Sequence, residues 1–455
     1  MPRRDVVRIG CGSGFWGDAF DPAFELLRDG RLDALAFDFL AELTMALLQR
    51  LRAKDPEAGY VEDAVQCMVD MSATARERGT VLVSNGGGVN PQAGGRAIAE
   101  RLKAKGMSGV TIGTVRGDDL LPRLDELLAQ GVSLANSVTG STDLASIRPR
   151  IVCANAYLGS EGILEALDAS SDIVLTGRVA DSAVFIAPIL HRLGLNLDAT
   201  ATVAAAIAAG HIAECSSGCT GGMSSRFDTM PAMGRVGFPL IEFSRDGRFV
   251  VTKLPGTGGR VDTFTVKEHL VYEIGDPRRY PVPDGVADFT SVSVRDLGSD
   301  RVEVSGACGL PPPVDLKVLI GYADGWIGEG LLMFPWPRAL ARAEKARSTL
   351  LERFERLGLV AQDVEFSYVG IDMLHGPAAP PAAHVDHNEV GLRVAVRTRT
   401  REEADKVRRA CAQMWIMGPG GTSFGVPMKP RPVVSLWPTF VPRELVPPVV
   451  EVIRS

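Results

Sequence analysis

Short apolar runs that stop abruptly at glycine-rich loops constrain this chain more than any other feature. Residues 6–9, 81–83, 109–114, 150–154 and 172–175 are such runs. Between them lie stretches with apolar residues at about every third or fourth position, at 34–52, 95–105, 120–129, 162–169 and 182–193. This alternation predicts parallel strands joined by helical crossovers, because parallel neighbours need a long return connection. Runs without polar alternation predict strands covered on both faces. The expected fold is α/β, a mostly parallel doubly wound sheet.

After residue 210 the texture changes. Runs 240–243 and 249–253 flank Asp246-Gly247, a hairpin signal, and a second pair occupies 291–296 and 301–305. Residues 211–312 therefore read as a β-hairpin-rich segment. From residue 316 the order is strand, helix, strand, strand, helix, strand, the βαββαβ order of ferredoxin-like units. The expected organisation is 1–210 as an α/β domain carrying the ligand site, 211–312 as the β-rich segment, and 313–455 as a ferredoxin-like α+β domain.

The net charge of −6 and the absence of a concentrated basic run argue against a nucleic-acid partner. No window approaches the roughly 18 continuous apolar residues of a membrane span, and the start lacks a signal-peptide pattern, so a cytoplasmic protein with no membrane partner is expected. Seven scattered cysteines do not form a disulfide framework and read as reduced thiols.

In open α/β sheets ligands bind beyond the carboxyl ends of the strands. Loops there hold Ser13, Gly14 and Asp18, then Asn85, Gly86, Gly87, Gly88 and Asn90, then Asn155 and Tyr157, then Gly177, Arg178 and Asp181. Bare backbone lets N–H groups converge on an anion, so the triple glycine suggests a carboxylate or phosphate cradle; the alternative is a tight strand-to-helix turn. No third glycine stands at Rossmann spacing and no Gly-Lys-Ser/Thr follows, so no nucleotide cofactor is indicated. Arg178 offers a two-pronged grip on an acid, while Asp181, Glu42 and Asp18 are the candidate proton-moving carboxylates. Arg178 and Asp181 also fit a helix-start pair.

Three further stretches carry chemistry-bearing residues. Cys215 and Cys219 lack the partners of a zinc site, and a loop closing over the site through Thr220 and Gly221 is the preferred reading. Lys253 begins a small-residue loop suited to phosphate or a pantetheine chain, although a hairpin exit explains it too. His375, His384, Asp386 and His387 share no helix face and read as a solvated loop, so no metal is expected.

Several of these blocks together resemble the acyclic terpene utilisation (AtuA) family. They are residues 8–18, 40–44, 84–91, 176–181, 253–259 and 272–277, with a closing block at 437–443. The resemblance implies a bacterial catabolic protein of citronellol and geraniol degradation, working beside acyl-CoA carboxylases, dehydrogenases and hydratases. It further implies a small ferredoxin-like partner subunit, since many relatives continue into such a domain or are paired with it. Cys215 and Cys219 depart from the family pattern. The expected function is a lyase- or hydratase-type enzyme acting on a branched carboxylic acid or its acyl-CoA, with the CoA thioester as substrate and no cofactor. A non-catalytic acyl-CoA-binding or assembly subunit is the alternative, and a homo-oligomer is expected in either case.

Overall fold

The computed structural model describes residues 5–380, 386–424 and 428–455. Strands β1 to β6 are Val6–Ser13, Ala34–Phe37, Val81–Ser84, Thr111–Arg116, Ile151–Ala156 and Ile173–Thr176. Strands β7 to β13 are Leu240–Ser244, Phe249–Thr252, Tyr280–Val282, Gly285–Asp288, Ser293–Asp296, Val302–Ser305 and Cys308–Leu310. Strands β14 to β19 are Asp315–Pro335, Asp363–Val369, Glu389–Thr398, Ser423–Phe424, Arg431–Pro442 and Val449–Arg454. Helices α1 to α6 are Asp21–Asp29, Glu42–Arg52, Glu62–Arg78, Pro91–Ala104, Leu124–Ala129 and Glu161–Asp168. Helices α7 to α11 are Ala183–Leu193, Thr200–Ala213, Thr263–Leu270, Ala339–Arg356 and Arg401–Met417.

The molecule is mixed α/β with several sheets. The largest has ten strands in the order β11-β12-β8-β7-β1-β2-β3-β6-β4-β19. Its centre, β1-β2-β3-β6-β4, is parallel. Antiparallel strands extend it on both sides, so the sheet is mixed where a mostly parallel one was expected. Every residue of β2 and of β6 is buried, the signature of strands covered on both faces. Helices α1, α3 and α4 pack in one row, and α6, α7 and α8 in another.

Several elements differ from the sequence reading. The stretch 34–52, expected to be one helix, is a strand at Ala34–Phe37 followed by a helix that begins at Glu42. Alanine and leucine favour helix, but a four-residue strand in the middle of a sheet is decided by its neighbours. The run at 150–154 does form β5, yet it lies outside the parallel sheet and pairs with β14. Helices α3 and α8 were not among those anticipated.

Chain contacts divide the protein into a unit comprising 1–321 and 437–455 and a second unit of 322–436. In the second, β15 pairs antiparallel with β16 and β16 with β14, and β14 also pairs with β18. Leu332, Phe334, Val390, Leu392, Val394 and Val396 form its core with residues of α10 and α11 such as Leu350 and Met414.

The triple glycine serves close packing. A Cβ on Gly86 would stand 2.4 Å from Ala64 Cβ, one on Gly87 2.5 Å from the Thr176 carbonyl, and Gly88 adopts φ +55°. The Gly86 N–H donates to Ser84 Oγ and the Gly88 N–H to the Asn85 carbonyl, so both amides are already engaged. Helix α4 begins directly after, at Pro91, with Asn90 as its N-cap, whereas a later start at 95 was expected. We expect Gly86→Ala to destabilise the protein by roughly 1–3 kcal/mol through overpacking against Ala64, read as a lower unfolding midpoint in urea.

Candidate active site

The parallel strands deliver a row of polar groups to their carboxyl ends. Asp38 directly follows β2, Asn85 follows β3, Arg178 follows β6 by two residues, and Asp118 follows β4 by two. Ser13 ends β1, and its hydroxyl donates to the Asp38 carbonyl at 2.9 Å. The Asn85 amide N–H donates to Asp38 Oδ1, while its oxygen accepts the Phe39 N–H at 2.8 Å. The chain turn after β2 is therefore held by the turn after β3.

Arg178 is the hub of this cluster. It is 2% exposed; its Nη1 donates to the Leu40 carbonyl at 2.5 Å and lies 3.0 Å from Asp181 Oδ1. Its guanidinium stacks 4.1 Å from the centroid of Tyr157, whose ring Lys317 Nζ also approaches, at 4.6 Å. The Tyr157 hydroxyl donates to Glu42 Oε1 at 3.2 Å. Four of the expected site residues, Glu42, Tyr157, Arg178 and Asp181, are thus linked directly.

The cluster opens on a cleft of about 630 Å³ in the first unit. Its polar lining includes Glu42, Tyr157, Asp181, Glu214, Glu273, Arg279, Asp315 and Lys317; Val282, Val314, Leu316, Phe440 and several prolines contribute apolar surface. Acidic groups outnumber cations here, and their proton affinities reflect it. Asp38 is raised well above the usual carboxylate range by burial and by Asp181, against Arg178 and Asn85. Burial also raises Asp181, with Glu42 adding and Arg178 opposing. Glu214 is raised well above its usual range by burial, Asp181 and Glu273. Burial pushes Glu42 up as well, but backbone hydrogen bonding, Arg178, Lys317 and Tyr157 leave it below its ordinary value. The site thus combines an ionised carboxylate with others that bind protons more tightly, an arrangement suited to acid–base chemistry.

The remaining expected residues do not line the cleft. Ser13 and Asn85 donate to Asp38, and Asn155 donates to Asp118 Oδ2. Gly14 packs against the backbone of Glu214 and Cys215, leaving no room for a Cβ. Asp18 accepts the N–H groups of Gly14 and Ala19 and so closes its own loop. Gly86, Gly87, Gly88 and Asn90 are packed as described, and Gly177 sits against the Asp118 carboxyl. Thr220 donates to the Gly237 carbonyl at 2.6 Å, and Gly221 adopts φ +109° in that loop. Lys253 pairs with Asp300 at 3.1 Å and donates to the Thr257 carbonyl, beside a different depression. Arg178, expected to grip the ligand, is buried; Lys317, 48% exposed, and Arg279 are the cations in the cleft lining.

Sequence reasoning missed Asp38, Asp118 and Lys317, and left Glu214 without a role. Asp38 carried a readable signal, a lone carboxylate between Phe37 and Phe39 at the end of an apolar run. The seven cysteines are all free thiols, and burial raises Cys215 and pushes Cys219 up to about 12, which disfavours the thiolate in both. His384 lies outside the described residues. Among the described residues, no group of three or more His, Cys, Asp or Glu side chains could hold a metal, and no helix is long and apolar enough to cross a membrane.

Asp118 makes a pH prediction possible. Burial raises it to about 7 from 3.8, although Oδ2 accepts from the Arg178 N–H and from Asn155 Nδ2. Between those pH values the native state keeps a proton that the unfolded chain has lost, so this group's contribution falls as pH rises through the window. Against Asp118→Asn, wild-type stability should therefore decline by roughly 4 kcal/mol from about pH 4 to about pH 7 and then level off. Urea unfolding of both proteins across that range measures the difference.

A mixed α/β protein whose parallel strands end in a buried arginine–carboxylate cluster, open to a partly apolar cleft, is what fold and site define. The sequence matches the model of the acyclic terpene utilisation family protein AtuA over residues 7–452. The chain belongs to that family, and its role falls within acyclic terpene utilisation, a catabolic process. No curated protein and no solved structure matches it.

Proposed function

We propose that the protein is a lyase- or hydratase-type enzyme acting on a branched carboxylic acid or its acyl-CoA thioester. The observation that carries this reading is one cleft lined both by Asp181 and Tyr157 and by the apolar side chains Val282, Val314, Leu316 and Phe440. A branched hydrocarbon body suits the apolar lining, and Lys317 and Arg279 suit a carboxylate or thioester oxygen. Asp181, whose proton affinity burial raises, is the base that takes a proton from carbon; Glu42 stays ionised and holds the Tyr157 hydroxyl. Arg178 acts from beneath, fixing Asp181 and the Tyr157 ring. In the C-terminal unit, the strand order and antiparallel pairing support the ferredoxin-like reading.

The test is an assay of branched and terpenoid enoyl-CoA thioesters and free acids, followed by the ultraviolet change as a conjugated double bond is hydrated or formed. Turnover that needs Asp181 supports the proposal; no turnover with any of them counts against it. One observation favours a second reading, an assembly subunit working with a partner protein. Leu43, Leu47 and Leu51 form an exposed stripe at four-residue spacing on α2, the helix that begins with Glu42. Under that reading, amide substitutions at Asp181 and Glu42 leave function intact.

A further inference from the structure

We propose that Glu214 is the proton donor of the cleft and that His211 is its positioning residue, occupying Oε1 so that Oε2 is the oxygen offered to a ligand. The inference rests on the lyase or hydratase reading for its chemistry, but not for its geometry. Glu214 caps the C-terminus of α8, and His211 precedes it by one turn. Their side chains meet at 3.2 Å between His211 Nδ1 and Glu214 Oε1, both buried. Glu214 lines the cleft and, among the described residues, none hydrogen-bonds to its Oε2, whereas His211 is 1% exposed and is not part of the cleft lining.

The surroundings of His211 decide where the hydrogens sit. The ring lies among His269, Tyr280 and Phe289, with centroids 6.0, 5.3 and 6.2 Å away. Burial lowers it to about 4, so it is neutral at physiological pH and carries one ring hydrogen. The carbonyls of His269 and Leu270 raise the ring's proton affinity, yet Nε2 has no hydrogen-bond partner among the described residues. A hydrogen on Nε2 would be buried without an aligned acceptor, so it belongs on Nδ1, donating to Glu214 Oε1. Burial, Asp181 and Glu273 raise Glu214 and so favour its protonated form; with Oε1 taken by the Nδ1 hydrogen, that proton belongs on Oε2.

This completes a balanced reaction. In the dehydration direction Asp181 takes the proton from carbon, the C–H electron pair becomes the new double bond, and the C–O bond breaks. The departing hydroxyl takes the Glu214 proton and leaves as water. One proton is accepted and one donated, and the two carboxyl groups exchange roles for hydration.

The first test uses ligand-free protein, so its result is independent of whether the substrate class is right. Infrared spectra near neutral pH should contain the carbonyl stretch of a protonated carboxylic acid that disappears in Glu214→Gln. In His211→Phe, which keeps a ring, that band should move to higher frequency as its hydrogen bond is lost. In His211→Asn, whose amide N–H replaces Nδ1–H, it should stay near the wild-type position. Long-range proton–nitrogen NMR should find His211 neutral with hydrogen on Nδ1, and the Nδ1 shift should change in Glu214→Gln, a readout that survives if His211→Phe does not fold. No band lost in Glu214→Gln, a band unmoved in His211→Phe, or hydrogen on Nε2 would overturn the proposal. Undiminished turnover by Glu214→Gln would overturn the donor role by itself.

Discussion

Asp181→Asn should lower turnover by about 100- to 10,000-fold, the usual contribution of a positioned general base, while leaving the protein folded. The amide keeps the shape of the carboxyl group but cannot accept a proton from carbon, so the loss should appear in kcat more than in KM. At 36% side-chain exposure Asp181 faces the cleft, and its replacement opens no cavity. Removing one acidic neighbour should also let Asp38 and Glu214 ionise more readily, since Asp181 raises both. Glu42→Gln should be milder, because Glu42 is ionised and holds Tyr157 without taking the proton itself. Steady-state rates of the two variants, with circular dichroism to confirm folding, give the comparison. Equal rates in Asp181→Asn and wild type would remove Asp181 from the chemistry and favour the assembly reading.

The parts of this site that were legible in sequence lie on strand-end loops with a local signature. Arg178 and Asp181 follow β6 within five residues of Thr176, and Tyr157 follows β5 immediately, so the rule that ligands gather beyond strand ends found them. Asp38 obeys the same rule but was hidden, because β2 is built from helix-favouring residues and the run through Arg52 was taken as one helix. Lys317, Arg279 and the apolar lining at Val282, Val314 and Phe440 come from segments far along the chain. Only tertiary packing brings them to Tyr157, and no local periodicity records it. The triple glycine is ambiguous for a different reason. Glycine is demanded equally by a backbone that must approach a ligand and by one that must approach Ala64 and Thr176, and sequence does not separate the two. Likewise, hairpin signals after residue 240 identified β7 and β8 but not that both extend the main sheet through β1.

Arg178→Met should be the most damaging single change to stability in the site, at about 3–5 kcal/mol, because it strands buried carboxyl groups without their cation. The methionine fills much of the space but loses the hydrogen bond to the Leu40 carbonyl, the contact with Asp181 and the stacking on Tyr157. Part of the loss is Coulombic and part is not, and pH separates them. As pH falls, Asp38 and Asp181 protonate, and in the variant they do so at higher pH than in wild type because Arg178 lowers both. The gap between the two proteins should therefore be smaller at a mildly acidic pH than at a mildly alkaline one. Arg178→Lys keeps the charge but not the planar fork, and a lysine cannot bond Leu40, face Asp181 and lie flat on Tyr157 together. It should fall between wild type and Arg178→Met, and urea unfolding of all three at both pH values measures the order. A gap independent of pH would mean that Arg178 acts through packing and the Leu40 bond alone. Arg178 would then not be what offsets burial at Asp38 and Asp181, and the reading in which it keeps Asp181 able to act as a base would lose its electrostatic support.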